Sequence, residues 1–400
     1  MDRQGLAYGV LLGGVMQAVG ASLRYFACSF ETAAETRITL LGQVLASLAM
    51  PFMVNSPAVF SANWFPTSMR ATSTNVAVNA NNMGVALVYL TAPFIVHSSD
   101  DIPAWNFYVA ALAVASCTVG IFVFRSAPER ETDEEDAAKP RLQDEYNWGQ
   151  WSAAFSHTGF WHTLVAFSAA ECVFNVVTAM LGKFLRGTNF STAQIGLVGA
   201  AFIVSTLLGG QLVVHYVDKT RSHKTATQLC LVLTVVGLVA FRLVPKVDIL
   251  ATLASLLFLG AALGPLQPIV LELGVECAFP TSEATVAALQ QLSGNFLSAI
   301  VVPGLSALQR TSFQGARETP LEVFYSSPEW ILVLITALTF VVFCFLYVCD
   351  SRASALSRAN LYFASTSNGT HKRYAQESRI ILPHSCLEQE ASCTGIANTP

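Results

Sequence analysis

The stretch Phe279-Pro280-Thr281-Ser282-Glu283-Ala284-Thr285 has an earlier counterpart, Phe65-Pro66-Thr67-Ser68-Met69-Arg70-Ala71-Thr72. Each copy closes one apolar run and opens the next. A second pair of landmarks lies upstream of these. Asp2-Arg3-Gln4-Gly5 precedes one apolar run, and Asp218-Lys219-Thr220 precedes another. Asp2 lies 64 residues before Pro66, and Asp218 lies 62 residues before Pro280. Two landmarks that recur at nearly one separation mark an internal repeat. Its unit is an Asp-plus-cation loop, two membrane-length apolar runs and a Phe-Pro turn.

Composition sets the class. Of the 400 residues, 53% are hydrophobic and only 12% charged, about half the charged share of a soluble domain, roughly 25%. So few charges cannot cover a soluble protein of this size. Apolar runs at 5–28, 38–64, 71–96, 104–124, 193–214, 225–244, 248–275, 284–308 and 330–349 are each near or above the roughly 20 residues that span a bilayer. Another, 158–185, is interrupted by Glu171 and Lys183. The reading is an all-α polytopic membrane protein of about ten spans, with the lipid bilayer as its first partner. The net charge of −4 comes with no basic patch, so nucleic acid is not a partner. Nine scattered cysteines form no C-x-x-C and no Cys/His cluster. No disulfide framework, metal site or cofactor is implied. The first run is too long for a signal-peptide core and lacks a basic lead beyond Arg3, so no cleavable leader is expected.

The expected organisation is four spans within 1–125, an acidic, water-exposed linker at 126–152, six spans within 153–350, and a Ser-rich, disordered tail at 351–400. Residues 250–276 hold Gly260, Gly264, Pro265 and Pro268, a cluster that should bend or break the eighth span. If Asp218–Lys224 is cytoplasmic, counting spans puts Asp2, Phe65–Arg70, the linker and the tail on the same side. Lys219, Arg221, Lys224 and the basic residues of the tail then follow the positive-inside tendency. The sequon Asn189-Phe190-Ser191 falls on the opposite side.

Glu171 is the foremost candidate for chemistry. An ionisable group near the bilayer centre is costly, so it faces a cavity or a partner. It can bind a cationic solute or take up a coupling proton. Asn175, one turn on, shares its face. The third span is unusually polar, with Asn75, Asn79, Asn81 and Asn82. Gln291 and Asn295 lie at i, i+4 on one face of the ninth. The substrate site is expected among Glu171, Asn175, Asn81, Gln291 and Asn295; Gln43 and Gln267 rank behind them. The loop charges Asp2, Arg3, Arg70, Asp218, Lys219, Glu276 and Glu283 read as latches at a cytoplasmic gate. His97, His157, His162, His215 and His223 sit near span ends and read as interfacial. No nucleophile elbow, H-E-x-x-H, P-loop or G-x-G-x-x-G is present, so no enzyme is indicated.

At the repeated landmarks the chain resembles the major facilitator superfamily of secondary transporters, whose twelve spans form two six-span halves. Set against that pattern, the second half has six spans, while the first has four and is expected to lack the first two. Within the superfamily it resembles the feline leukaemia virus subgroup C receptor-related family, solute carrier family 49, nearest its major-facilitator-domain-containing branch. The resemblance is carried by Gly42-Gln43-Val44-Leu45, Asn63-Trp64-Phe65-Pro66, Asn82-Met83-Gly84, Asp218-Lys219-Thr220 and above all Glu276-Cys277-Ala278-Phe279-Pro280-Thr281-Ser282-Glu283. It implies transport of a small organic solute by alternating access, choline- or ethanolamine-, vitamin- or haem-like. A choline-type pocket is not reproduced: family Gln, Tyr, Asn and Gln positions fall at Met50, Phe174, Leu181 and Asn295, and only the Asn at Asn81 is kept. The rival class is a truncated, non-transporting membrane partner or receptor-like protein. Glu377-Ser378-Arg379-Ile380-Ile381-Leu382 loosely resembles an acidic di-leucine signal, so the expected location is the plasma membrane or an endolysosomal membrane.

Overall fold

In the computed structural model the described residues are 6–30, 32–54, 56–65, 70–124, 152, 154–185, 188–220, 222–244, 248–278, 281, 283–312 and 328–346. The expected linker and tail, and Asp2 and Arg3, lie outside them. So do the side chains of Arg70, Asp218 and Glu283.

The N-terminal helices are α1 (Leu6–Ala27), α2 (Thr32–Val54), α3 (Ser56–Trp64), α4 (Arg70–Ile95) and α5 (Ile102–Val123). The C-terminal helices are α6 (Thr158–Phe184), α7 (Thr192–Thr220), α8 (His223–Leu243), α9 (Ile249–Leu263), α10 (Leu266–Cys277), α11 (Glu283–Ser312) and α12 (Pro328–Leu346). Eight of the described helical stretches are long and apolar enough to cross a membrane, with α9 and α10 counted as one. α4 is not among them although it has 26 residues. Its four asparagines lower its hydropathy, and such a helix enters a bilayer only with its polar face covered by protein. The apolar part of α12 is shorter, Glu329–Phe345.

Small residues fix the crossings, because lipid supplies no hydrophobic drive between helices. A Cβ on Gly20 would lie 2.6 Å from the Gly42 carbonyl oxygen, and one on Gly42 would lie 2.6 Å from that of Gly20. α1 and α2 therefore touch backbone to backbone, and beside the crossing Arg24 Nη1 donates to Gln43 Oε1 at 3.1 Å. Gly209, Gly260 and Gly264 do the same for α7 against α9, facing Ala261, Ser205 and Thr206.

The eighth span breaks at Gly264-Pro265, between α9 and α10. Proline has no N–H to continue the ladder and clashes with the preceding turn, so it opens a new helix rather than extending the old one.

α6 is the central helix. Of its apolar window, 72% is buried in the protein, against 6% for α5. It packs on α10, α11 and α12. Phe160 and Leu164 join Val286 and Leu289 in one apolar cluster at its start. The large apolar side chains exposed on α5, such as Leu112 and Phe122, suit a hydrocarbon solvent.

Candidate functional site

α6 and α11 run side by side, joined by a ladder of polar contacts. Ser168 Oγ meets Ser293 Oγ at 2.7 Å. Glu171 Oε1 accepts from Gln291 Nε2 at 3.1 Å. Asn175 Nδ2 donates to Ser298 Oγ at 3.0 Å. Near the far end Lys183 Nζ donates to Ser306 Oγ at 2.9 Å. The rungs on α6 recur at three, four and eight residues, spacings that keep side chains on one helical face.

Close approach at the second rung depends on Gly294. A Cβ there would lie 2.7 Å from both Cβ and Cγ of Glu171. With hydrogen in that place, α11 lies directly on the Glu171 side chain, which is buried at 8% exposure.

Three carboxamides converge on this carboxylate. Asn175 Nδ2 donates to Oε1 at 3.2 Å, Gln291 Nε2 donates to the same oxygen, and Gln267 Nε2 donates to Oε2. They come from α6, α11 and α10. Gln267 reaches the carboxylate because the break at Gly264-Pro265 puts it in the first turn of α10. The start of a helix also presents the positive end of its dipole. An ionised carboxylate has acceptor sites for all three bonds. Among the described residues every hydrogen-bond partner of Glu171 is a neutral carboxamide, so no cationic side chain is bonded to the carboxylate.

Asn175 connects this cluster to open space. Both protons of its amide are used, one toward Glu171 and one toward Ser298. Among the described residues no donor to its Oδ1 is found. Asn175, Thr178, Asn295 and Ser298 are the polar residues, among Ala179, Ala299 and Val302, on one wall of an open, largely apolar cleft of about 570 Å³. Val85, Val88 and Tyr89 of α4 form the wall opposite. The cleft therefore lies between the N-terminal and the C-terminal helices. That volume lies within the roughly 300–1,000 Å³ range of small-molecule sites.

At one end of the cleft α4 packs on α7. The Tyr89 hydroxyl donates to the Thr178 carbonyl oxygen of α6. The ring lies against Gly199, and the backbone near Tyr89 and Pro93 lies against Gly196.

The structure brings together four of the five residues expected at a substrate site. Glu171, Asn175 and Gln291 form one hydrogen-bonded group, and Asn295 lines the cleft beside them. Asn81 is not in that group. It is exposed on α4, one turn before Val85. Asn79 and Asn82 of the same helix are half-buried. Lys219 and Glu276, read as latch residues, are exposed at the ends of α7 and α10.

Gln267 has a larger part than its sequence rank, and the Gly-Pro pair three residues before it was the available signal. Ser298, Gly294 and Tyr89 carried no signal of their own. His223 departs from the interfacial reading. It is buried, and its Nε2 lies 2.9 Å from Glu272 Oε2, because α8 and α10 pack together there.

The sequence pattern of the family described as Major Facilitator Superfamily matches residues 1–303. Solute carrier family 49 member A3 of Danio rerio is 28% identical over 317 residues, 77% of this chain and 65% of that protein. The choline/ethanolamine transporter FLVCR1 of Felis catus is 25% identical over 305 residues, 72% of this chain and 53% of that protein. The chain thus spans between about half and two thirds of the length of these curated relatives. Among solved structures, a D-xylose-proton symporter superposes with a TM-score of 0.65 at 15% identity, covering 87% of this chain and 82% of that one. A bacterial homolog of the human lysosomal transporter Spinster, inward-facing and unoccupied, gives 0.58 at 13% identity, covering 88% and 84%. At these identities the structures speak for the fold alone.

Proposed function

The chain belongs to the major facilitator superfamily, and from that premise we propose that it is a secondary transporter that moves a small organic cation by alternating access. It is an integral multi-pass membrane protein of a transporter superfamily, not of an enzyme family. The observation that carries the proposal is the Glu171 cluster. A buried carboxylate whose partners are all neutral leaves net negative charge one residue behind the wall of a cleft between two helix sets. Such a charge in a membrane interior draws a cation, either the solute itself or a coupling proton.

In this reading the solute lies against Asn175, Asn295 and Ser298, with Glu171 and Gln291 behind them and Asn81 at the edge of its path. The polar wall offers oxygen acceptors, which suits an ammonium with N–H donors better than a fully methylated one. Phe174 stacks on Phe202, ring centroids 6.0 Å apart, and so is engaged within the C-terminal helices. The relatives described as choline/ethanolamine transporters point to the same class of charge. Residues 1–125 and 153–350 are the two moving halves, joined by 126–152. Asp2, Arg3, Arg70, Asp218, Lys219, Glu276 and Glu283 are assigned to the gate at the cytoplasmic ends. The membrane is the plasma membrane or an endolysosomal one.

The test is uptake of labelled ethanolamine, choline and pyridoxine by cells or vesicles carrying the chain, with Glu171→Gln as the paired variant. Ethanolamine uptake above choline uptake, lost in the variant at equal membrane abundance, is the expected result. No uptake of any of the three, by a chain shown to be in the membrane, would favour the receptor-like alternative.

A further inference from the structure

Tyr89 is a side chain by which α4 meets α6 and α7 of the C-terminal helices. A Cβ on Gly199 would collide with ring carbons Cδ1 and Cε1 of Tyr89 and lie 3.0 Å from Leu181 Cδ2. One on Gly196 would collide with the Tyr89 carbonyl oxygen and lie 2.7 Å from Pro93 Cγ. The two glycines, one turn apart on α7, therefore make a slot that fits a ring only because they have no side chains. The hydroxyl ends on the Thr178 carbonyl oxygen of α6. A helical carbonyl has a second lone pair, so this bond forms without breaking the ladder of α6.

The three contacts lie at one membrane face. Tyr89 is in the last two turns of α4, Thr178 is in the last two turns of α6, and Gly196 and Gly199 are in the first turns of α7. That face carries residues 96–101 and 188–191, the side away from the cytoplasm by the count of spans. Tyr89 is also part of the cleft wall, together with the adjacent Val88 and with Val85 one turn deeper. The ring and hydroxyl thus tie α4 to α6 and α7 beside the cleft, whose lining also includes Asn175 and Asn295.

We infer that Tyr89 is the gate residue on the non-cytoplasmic face: seated in the Gly196/Gly199 slot it shuts the cleft there, and its withdrawal opens the cleft to that side. The inference rests on the alternating-access reading above. A glycine slot suits this work because it has no side-chain rotamers to rearrange when the ring leaves. One hydrogen bond and one ring contact then set how firmly the gate is shut, few enough terms for both states to be populated.

The experiment measures access rather than transport. Ala299 lines the cleft and is exposed, so Ala299→Cys reports on it. Membrane vesicles of both orientations are treated with a membrane-impermeant maleimide, and labelling is taken in excess of the parent's own cysteines. Asn189→Cys, at an exposed position within residues 188–191, identifies the vesicles that present that face outward. With Tyr89 in place, Ala299→Cys labels slowly from that face. Tyr89→Ala and Gly199→Ala each raise the rate at least about tenfold. Tyr89→Phe keeps the ring and loses only the hydroxyl bond, so it raises the rate about fivefold, the equivalent of about 1 kcal/mol. Because Tyr89→Phe and Gly199→Ala are small changes, loss of fold in Tyr89→Ala leaves the test intact. Unchanged labelling from that face in Tyr89→Phe and Gly199→Ala, at normal membrane abundance, overturns the assignment. Labelling needs no solute, so a chain that takes up none of the candidate solutes still reports the gate separately from the solute class.

Discussion

Replacing Glu171 by glutamine keeps the shape of the side chain and removes its charge. An ammonium held by the Oδ1 of Asn175 lies about two hydrogen-bond lengths from the carboxylate, because Asn175 Nδ2 is 3.2 Å from Glu171 Oε1. Across about 6 Å and at an effective dielectric near 20, two unit charges attract by about 2.8 kcal/mol. That is about a hundredfold in affinity. The effect on the fold is smaller. Asn175, Gln267 and Gln291 can each turn an amide to present oxygen to the new NH₂, so the network re-forms with neutral bonds in place of charge-assisted ones. Uptake of labelled ethanolamine across a concentration series gives KM, and surface biotinylation gives abundance. The expected outcome is KM up about a hundredfold with abundance within about twofold. A KM change below about threefold for a cationic solute, at equal abundance, would refute the claim that Glu171 supplies the charge the solute sees.

Other consequences are open to measurement. Gly294→Ala puts a methyl group where the Glu171 side chain lies and should lower stability by about 1–3 kcal/mol, read as a drop in the detergent-solubilised melting temperature; an unchanged melt would mean that α11 is free to shift away. Gln267→Ala removes the donor to Glu171 Oε2 and should raise KM about tenfold, as expected for one charge-assisted bond; a change below about twofold would count against the role of the broken helix. Asp248→Ala removes the cap of α9, where Asp248 Oδ1 accepts from Leu250 N at 2.9 Å and Ala251 N at 3.3 Å. It should lower stability by about 1 kcal/mol and leave KM unchanged.

The membrane class and the helix count were legible because both are one-dimensional properties. A run of about 20 apolar residues is the same length in any fold. The repeated Asp-plus-cation and Phe-Pro landmarks led to the superfamily that the family match bears out. The Gly260–Pro268 cluster foretold a broken helix, since glycine and proline act on the backbone wherever they sit. The asparagines of α4 were read as a polar face, though not as enough to keep α4 below the apolarity of its neighbours.

At the candidate site, Glu171 and Asn175 could be paired from the sequence because they are one turn apart on one helix, as are Gln291 and Asn295. What the sequence determined, then, was which side chains are costly in a bilayer and which of them share a helical face. What only the tertiary structure decided was who meets them. Gln267 lies 96 residues from Glu171, Gln291 lies 120, and Tyr89 lies 89 from Thr178. It also left Asn81 outside the hydrogen-bonded group, one turn from the cleft wall. Helical period fixes neighbours within a few residues, but contacts between helices depend on where small residues such as Gly294 and Gly199 let two backbones approach. That information resides in pairs of distant positions, and no single stretch of the chain contains it.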